Sequence, residues 1–195
     1  MVGVDEAEVE RDLIGGLLVC PSCGGVLGPW GFGRWRTLRR AGVEERVRPR
    51  RSRCRSCSGT HMCLAWCWLL RRRDDVETIG RAIFDNAVGG MGYRRIAEAL
   101  GRGENTVRRW LRAFRDRAEA IRAHFTRWAH ALDADLPAVV AAGDAVQNAV
   151  EAIGVAGRAA SQRFGPAGPW LVASRLSSGA LLCNTSGPLL PAPGS

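Results

Sequence analysis

The chain has 195 residues, 46% of them apolar, and a formal net charge of +9. That is enough for one medium domain or two small ones with a core of their own. No stretch is apolar for long enough to read as a transmembrane helix, and the acidic N-terminus lacks the basic flank of a signal peptide.

The charge is placed unevenly. Residues 1–19 carry one arginine against five acids, residues 34–127 carry 24 arginines against ten acids, and residues 128–195 carry three against four. A local basic block of this kind is the electrostatic footprint expected for a polyanion partner. All 28 basic residues are arginine. Codon bias accounts for part of that choice, so the argument rests on where the charge lies and not on arginine over lysine.

Residues 1–16 are polar and acidic and read as a flexible leader of at most a turn or two of helix. Residues 17–70 follow as a β unit built around two close cysteine pairs, Cys20-Pro-Ser-Cys23 and Cys54-Arg-Ser-Cys57. Each pair precedes a turn-forming dipeptide, Gly24-Gly25 and Ser58-Gly59. A Cys-x-x-Cys turn sets two thiolates on one side of a tight loop, and two such turns supply the four sulfurs of a structural zinc. Cys20, Cys23, Cys54 and Cys57 are therefore the expected ligands of one zinc ion in a zinc ribbon. A redox role would need one pair at a helix start after a strand, and neither has that setting. His61, Cys63 and Cys67 are candidates for a second site but lack a fourth partner; a core position suits Cys63 and Cys67 better. Cys183 stands alone.

Between the pairs, Trp35–Arg40 and Glu45–Arg50 read as strands joined by a turn at Ala41-Gly42. The arginines of Arg34–Arg55 form either a phosphate clamp or a charged edge that keeps strands from pairing with other chains. Residues 60–70 are apolar and should pack on the ribbon, and Arg71-Arg72-Arg73 forms a hinge.

Asp74 is placed to cap a helix, with Glu77 completing a capping box. Val76, Ile79, Ile83 and Ala87 share one face, and Gly89-Gly90 closes the helix. Residues 93–114 then carry a helix-turn-helix pattern. Ile96, Ala97 and Leu100 face inward from the first helix, and Gly101 suits the tight turn. The second helix, starting near an Asn105 cap, has Val107, Trp110, Leu111 and Phe114 on its inner face. Its outer face presents Asn105, Thr106, Arg108, Arg109 and Arg112, the groups a recognition helix brings to a major groove. Arg94 and Arg95 are added as phosphate contacts.

Apolar residues continue at 107, 111, 114, 118, 121, 125, 128 and 132, in steps of four and three. This stripe offers either a homodimer through 107–132 or a long helix folded back on the alanine-rich segment from 138. The domain plan therefore runs 74–132 for the helix-turn-helix with its extended helix, 138–187 for an alanine-rich helical and irregular region interrupted by Gly143 and Gly154, and 188–195 for a disordered tail. The expected fold class is α+β: a small zinc-ribbon β domain followed by a mainly α-helical region.

The run from Cys20 to about Phe114 resembles the N-terminal part of bacterial insertion-sequence transposases. There a zinc ribbon precedes a helix-turn-helix matching Tyr93-Arg94-Arg95-Ile96-Ala97 and Thr106-Val107-Arg108-Arg109-Trp110-Leu111. The whole chain is also similar to short uncharacterised bacterial proteins with a Thr-His pair after the last knuckle, as at Thr60-His61. The proline usual soon after that pair is replaced here by a stretch containing Ala65 and Cys67. The resemblance implies recognition of double-stranded DNA. It does not imply strand transfer, because the catalytic domain with three acidic residues that follows in transposases has no counterpart here.

Asp133, Asp135, Asp144 and Glu151 lack the separated strands that a two-metal nuclease site needs, and His124 and His130 read as surface or packing residues. No catalytic residues, small-molecule substrate or membrane partner are expected, and the chain is placed in the cytoplasm. The alternatives to a DNA-binding protein are an adaptor or transposition accessory protein, or a dimeric transcriptional regulator. An RNA target fits the charge but not the helix-turn-helix.

Overall fold

A computed structural model describes residues 5–138 and 142–183; the tail expected at 188–195 lies outside the described residues. Within them the order is α1 (Glu6–Ile14), β1 (Leu27–Phe32), β2 (Arg36–Arg40), β3 (Val43–Val47), β4 (Arg50–Cys54), β5 (Thr60–Cys63), then α2 (Val76–Ala87), α3 (Tyr93–Leu100), α4 (Glu104–Arg115), α5 (Ala118–Leu132), α6 (Ala145–Phe164) and α7 (Pro169–Leu176). This is the α+β layout: after the short α1 come the sheets, and then the helices α2–α7.

The β unit contains two antiparallel sheets. One has the order β1-β4-β5, and the other is the β2–β3 hairpin. The hairpin turns at Ala41 and Gly42, both with positive φ, 47° and 83°. Two consecutive residues with positive φ form the turn that matches strand twist in a two-residue hairpin.

The acidic leader, expected to hold at most a turn or two of helix, forms the nine-residue α1 over its described part. Asp5 caps α1 by accepting from the Glu8 amide. Val9 and Leu13 are buried with Leu18, Leu27, Leu38, Cys63, Ala65 and Trp68 in the core of the β unit. Glu10 pairs with Arg50, and Glu6 accepts from the Trp68 indole. Two buried apolar residues four apart are enough to dock one face of this nine-residue helix, whose other positions are five polar residues and the outward Ala7 and Ile14.

The helices share a second core that runs from Leu69 through α2–α7 to Leu181 and Leu182. The 74–132 and 138–187 regions therefore form one packed unit over their described residues. Asp75, and not Asp74, is the N-cap of α2, and its carboxylate takes the Thr78 amide and hydroxyl. Gly154 does not interrupt α6, which starts from a capping box of Asp144 and Gln147.

The stripe at 107–132 belongs to two helices. α4 stops at Arg115, and Arg117 breaks the path with φ −120° and ψ 6° before α5. Arg117 directs its guanidinium at the carbonyls of Ala180, Leu181 and Cys183. Val107, Phe114, Ile121 and Phe125 are wholly buried, and α5 packs along α6. From Val107 to Phe125 the stripe is thus covered by its own chain, while Trp128 and Leu132 stay partly exposed.

Candidate metal centre and nucleic-acid interface

The two cysteine turns are built alike. In the first, the Cys20 amide donates to Gly25 O and the Gly24 amide to Cys20 O. In the second, the Cys54 amide donates to Gly59 O and the Ser58 amide to Cys54 O. Gly24 and Ser58 hold equivalent left-handed positions, with φ 72° and 61°. The turns also pack on each other: a Cβ on Gly25 would fall 2.4 Å from Ser56 Oγ.

This packing brings four sulfurs together. The Sγ atoms of Cys20, Cys23, Cys54 and Cys57 all lie within 4.8 Å of one another, with Cys23–Cys54 at 3.5 Å and Cys20–Cys57 at 3.8 Å. Tetrahedral metal–sulfur bonds of about 2.3 Å put sulfurs about 3.8 Å apart. The donor set and its spacing therefore fit a metal ion.

The electrostatics agree. The amides of Cys57 and Ser56 donate to Cys54 Sγ and bring its thiol down to about 6. The Gly25 amide favours the Cys23 thiolate, but the Cys54 and Cys57 sulfurs outweigh it and push that thiol up to about 12. Thiolates this close need a cation between them to coexist.

His61 belongs here, and not with Cys63 and Cys67. Its Nε2 is 3.3 Å from Cys20 Sγ, as β5 brings it back alongside β4 opposite Ser52. Cys63 and Cys67 are buried in the β-unit core, Cys63 donating to Ser52 Oγ. The pairing of β4 with β5 carries that outcome, and the spacing of the three residues in sequence does not reveal it.

The helix-turn-helix is formed by α2, α3 and α4. Gly101, with φ 61° and ψ 39°, ends α3 and takes its C-terminal bonds to Ala97 O and Glu98 O. α4 starts two residues earlier than expected, with Gly103 at its N-cap, so Asn105 is not its cap. Asn105 instead lies on the first turn and accepts from Arg108 at 2.9 Å. Val107, Trp110, Leu111 and Phe114 are buried as the spacing implied. Arg94, Arg95, Asn105, Arg108, Arg109 and Arg112 are exposed, and Thr106 is partly so. Arg94 reaches Glu104 at 3.5 Å across the two helices. Arg102, in the turn, faces inward and pairs with Asp74.

Residues 74–122 match the family of homeodomain-like domains. The homeodomain-like domain thus spans α2, α3, α4 and the start of α5. A β region with four clustered cysteines precedes it, which is the layout that the resemblance to transposases implied. No curated protein and no solved structure matches the chain.

The acids considered for catalysis have other neighbours. Asp144 caps α6, Asp133 ends α5 and accepts from the Asp135 amide, and exposed Glu151 faces Arg158 on the same helix. His124 is buried against Leu176 O. Among the described residues, no helix is long and apolar enough to cross a membrane.

Proposed function

We propose that this protein binds double-stranded DNA through α4, with one structural zinc held by Cys20, Cys23, Cys54 and Cys57. The observation that carries the reading is the two-faced character of α4. Its apolar face is wholly engaged in the helical core. Its other face leaves Arg108, Arg109 and Arg112 exposed in a domain of a DNA-binding type. Arg108 and Arg109 contact base edges or the adjacent phosphates, and Arg94, Arg95 and Arg112 contact phosphate, while Asn105 and Thr106 complete the surface.

Zinc supplies cross-linking and no reaction: four thiolates fix both turns beside the small core of the β unit. The chain acts by binding, without strand transfer and without a small-molecule substrate, and its place is the cytoplasm.

The test is selection from a randomised duplex pool with zinc-loaded protein, followed by binding across a salt series. A recovered sequence, bound more tightly than random duplex and weakened selectively by Arg109→Ala, supports the reading. Equal loss on both duplexes reduces Arg109 to a phosphate contact. Weak, salt-labile binding with no preferred sequence favours an adaptor of a partner protein and overturns the reading.

A further inference from the structure

We infer that the β unit carries a second, separate nucleic-acid surface, which binds single-stranded DNA by stacking its bases on Trp30, Phe32 and Trp35. These three aromatic side chains are 49%, 46% and 57% exposed. A small β unit with its own apolar core does not need three large aromatic residues outside it. Soluble surfaces seldom gather such residues without a partner.

Each ring already carries a guanidinium. Arg53 lies over Trp30 at 4.7 Å, Arg48 over both Phe32 and Trp35 at 5.3 Å and 5.9 Å, and Arg46 over Trp35 at 5.5 Å. Arg48 therefore joins the two rings into one surface, which borders an open depression of about 730 Å³ that also reaches His61 and Met62. The register sets Trp30, with Arg53, and Phe32, opposite Arg50, on the two faces of the sheet at its β1 edge, since Arg50 and Arg53 point to opposite sides of β4. β1 runs antiparallel to β4, with Gly28 opposite Arg53 and Phe32 opposite Arg50 and a register shift between Pro29 and Phe32. The β3 strand and the residues after it add Arg46 and Arg48 beside Trp35.

The acids nearby are mostly committed. Glu10 holds Arg50 and Glu44 holds Arg39, leaving Glu45 beside Arg46. Among the described residues, no carboxylate pairs with Arg46, Arg48 or Arg53. Exposed aromatic faces interleaved with unpaired cations are what sequence-tolerant single-strand binding uses: the rings take the bases and the guanidiniums take the phosphates. Duplex DNA buries its base faces in the stack and has no use for the rings. This surface selects unpaired DNA, while α4 selects duplex. The two surfaces are built from different elements, so neither assignment rests on the other.

The experiment uses the full zinc-loaded chain with a labelled twenty-base thymidine strand, a uridine strand of equal length and a random duplex, at matched salt. The variants are Trp30→Ala/Trp35→Ala, Trp30→Phe/Trp35→Phe and Arg109→Ala. Zinc content and circular dichroism are checked for each. The alanine pair should weaken thymidine-strand binding about tenfold or more, leave duplex binding near wild type, and be rescued by the phenylalanine pair. Arg109→Ala should do the reverse, weakening duplex alone. Unchanged single-strand affinity in the alanine pair, or equal loss on strand and duplex, overturns the inference. So does tighter binding of the uridine strand, which would make the target RNA. No single-strand binding by wild type assigns the rings to a protein partner and equally overturns it.

Discussion

Arg102, in the turn between α3 and α4, is ion-paired with Asp74, at the junction between the β unit and α2, and both side chains are nearly fully buried. The junction is tied on its other side too. The Arg39 amide donates to Arg73 O, the Asp75 amide to Arg39 O, and the Ala41 amide to the Asp75 carboxylate. The hairpin β2–β3 is thereby fixed to the start of α2, and α2 to the turn that sets the angle of α4. Removing one member of such a pair leaves a buried charge alone, which costs about 3 kcal/mol or more. Asp74→Ala and Arg102→Ala should each lower the urea midpoint strongly, while the double variant loses less than the sum. Additive losses would show that the two residues are not coupled.

A second prediction concerns acid. His124 is wholly buried and its Nε2 lies 3.1 Å from Leu176 O, so that nitrogen carries the proton of a neutral ring. Burial holds its pKa below the ordinary 6.5, and the charges of Arg127 and Arg117 act in the same direction. The unfolded chain gains a proton below that value before the folded one does. Stability therefore falls as pH drops below about 6.5, by at most about 1.4 kcal/mol per pH unit for one proton. Urea midpoints between pH 7.5 and 5 should show this slope, and His124→Phe should flatten it.

Much of this molecule is legible in its sequence, for identifiable reasons. The cysteine turns, the α4 face and the Ala41-Gly42 hairpin are local patterns, in which spacing alone decides geometry. What the sequence hides is pairing at a distance. His61 reaches Cys20 only because β5 returns along β4. Val9 and Leu13 are core residues only because the β unit presents an apolar face to α1. The stripe from 107 to 132 has coiled-coil spacing, yet its own chain covers it from Val107 to Phe125. Trp30, Phe32 and Trp35 look like strand residues until the sheet leaves them outside. Arginine is the most ambiguous signal: Arg102 and Arg117 bind inward to a carboxylate and to carbonyls, while Arg108 and Arg109 face out.

Gly80 shows how the C-terminal helix is seated on the homeodomain-like domain. A Cβ at this position of α2 would fall 2.2 Å from the Trp170 ring of α7, and that ring also meets Phe114 edge-on with centroids 6.3 Å apart. Neither the indole nor the α2 backbone can yield that distance. Gly80→Ala should destabilise the helical unit by about 2 kcal/mol, as an overpacked core does, despite the better helix propensity of alanine. A thermal melt reads the effect, and a companion Trp170→Ala change should relieve part of it. A more stable Gly80→Ala protein would mean that α7 does not pack on α2 in this way.

Metal removal separates the two cores. The sulfur cluster crosslinks β1, β4 and the loops beside them, whereas the core of α2–α7 contains none of those four cysteines. A chelator should therefore act on one unit. Amide exchange across Cys20–Cys63 should rise towards the unprotected rate, while the amides of α4, α5 and α6 keep most of their protection and far-ultraviolet dichroism keeps its helical bands. Cys54→Ser should reproduce the pattern without chelator, since a hydroxyl is a poor substitute for a thiolate on zinc. The ties at Asp74, Asp75 and Arg39 would then be the first helical contacts to loosen, with exchange rising at the start of α2 before the rest. Loss of protection throughout the chain on chelation would mean that both units fold as one. Unchanged exchange at the cysteine turns would mean that the four sulfurs hold no metal.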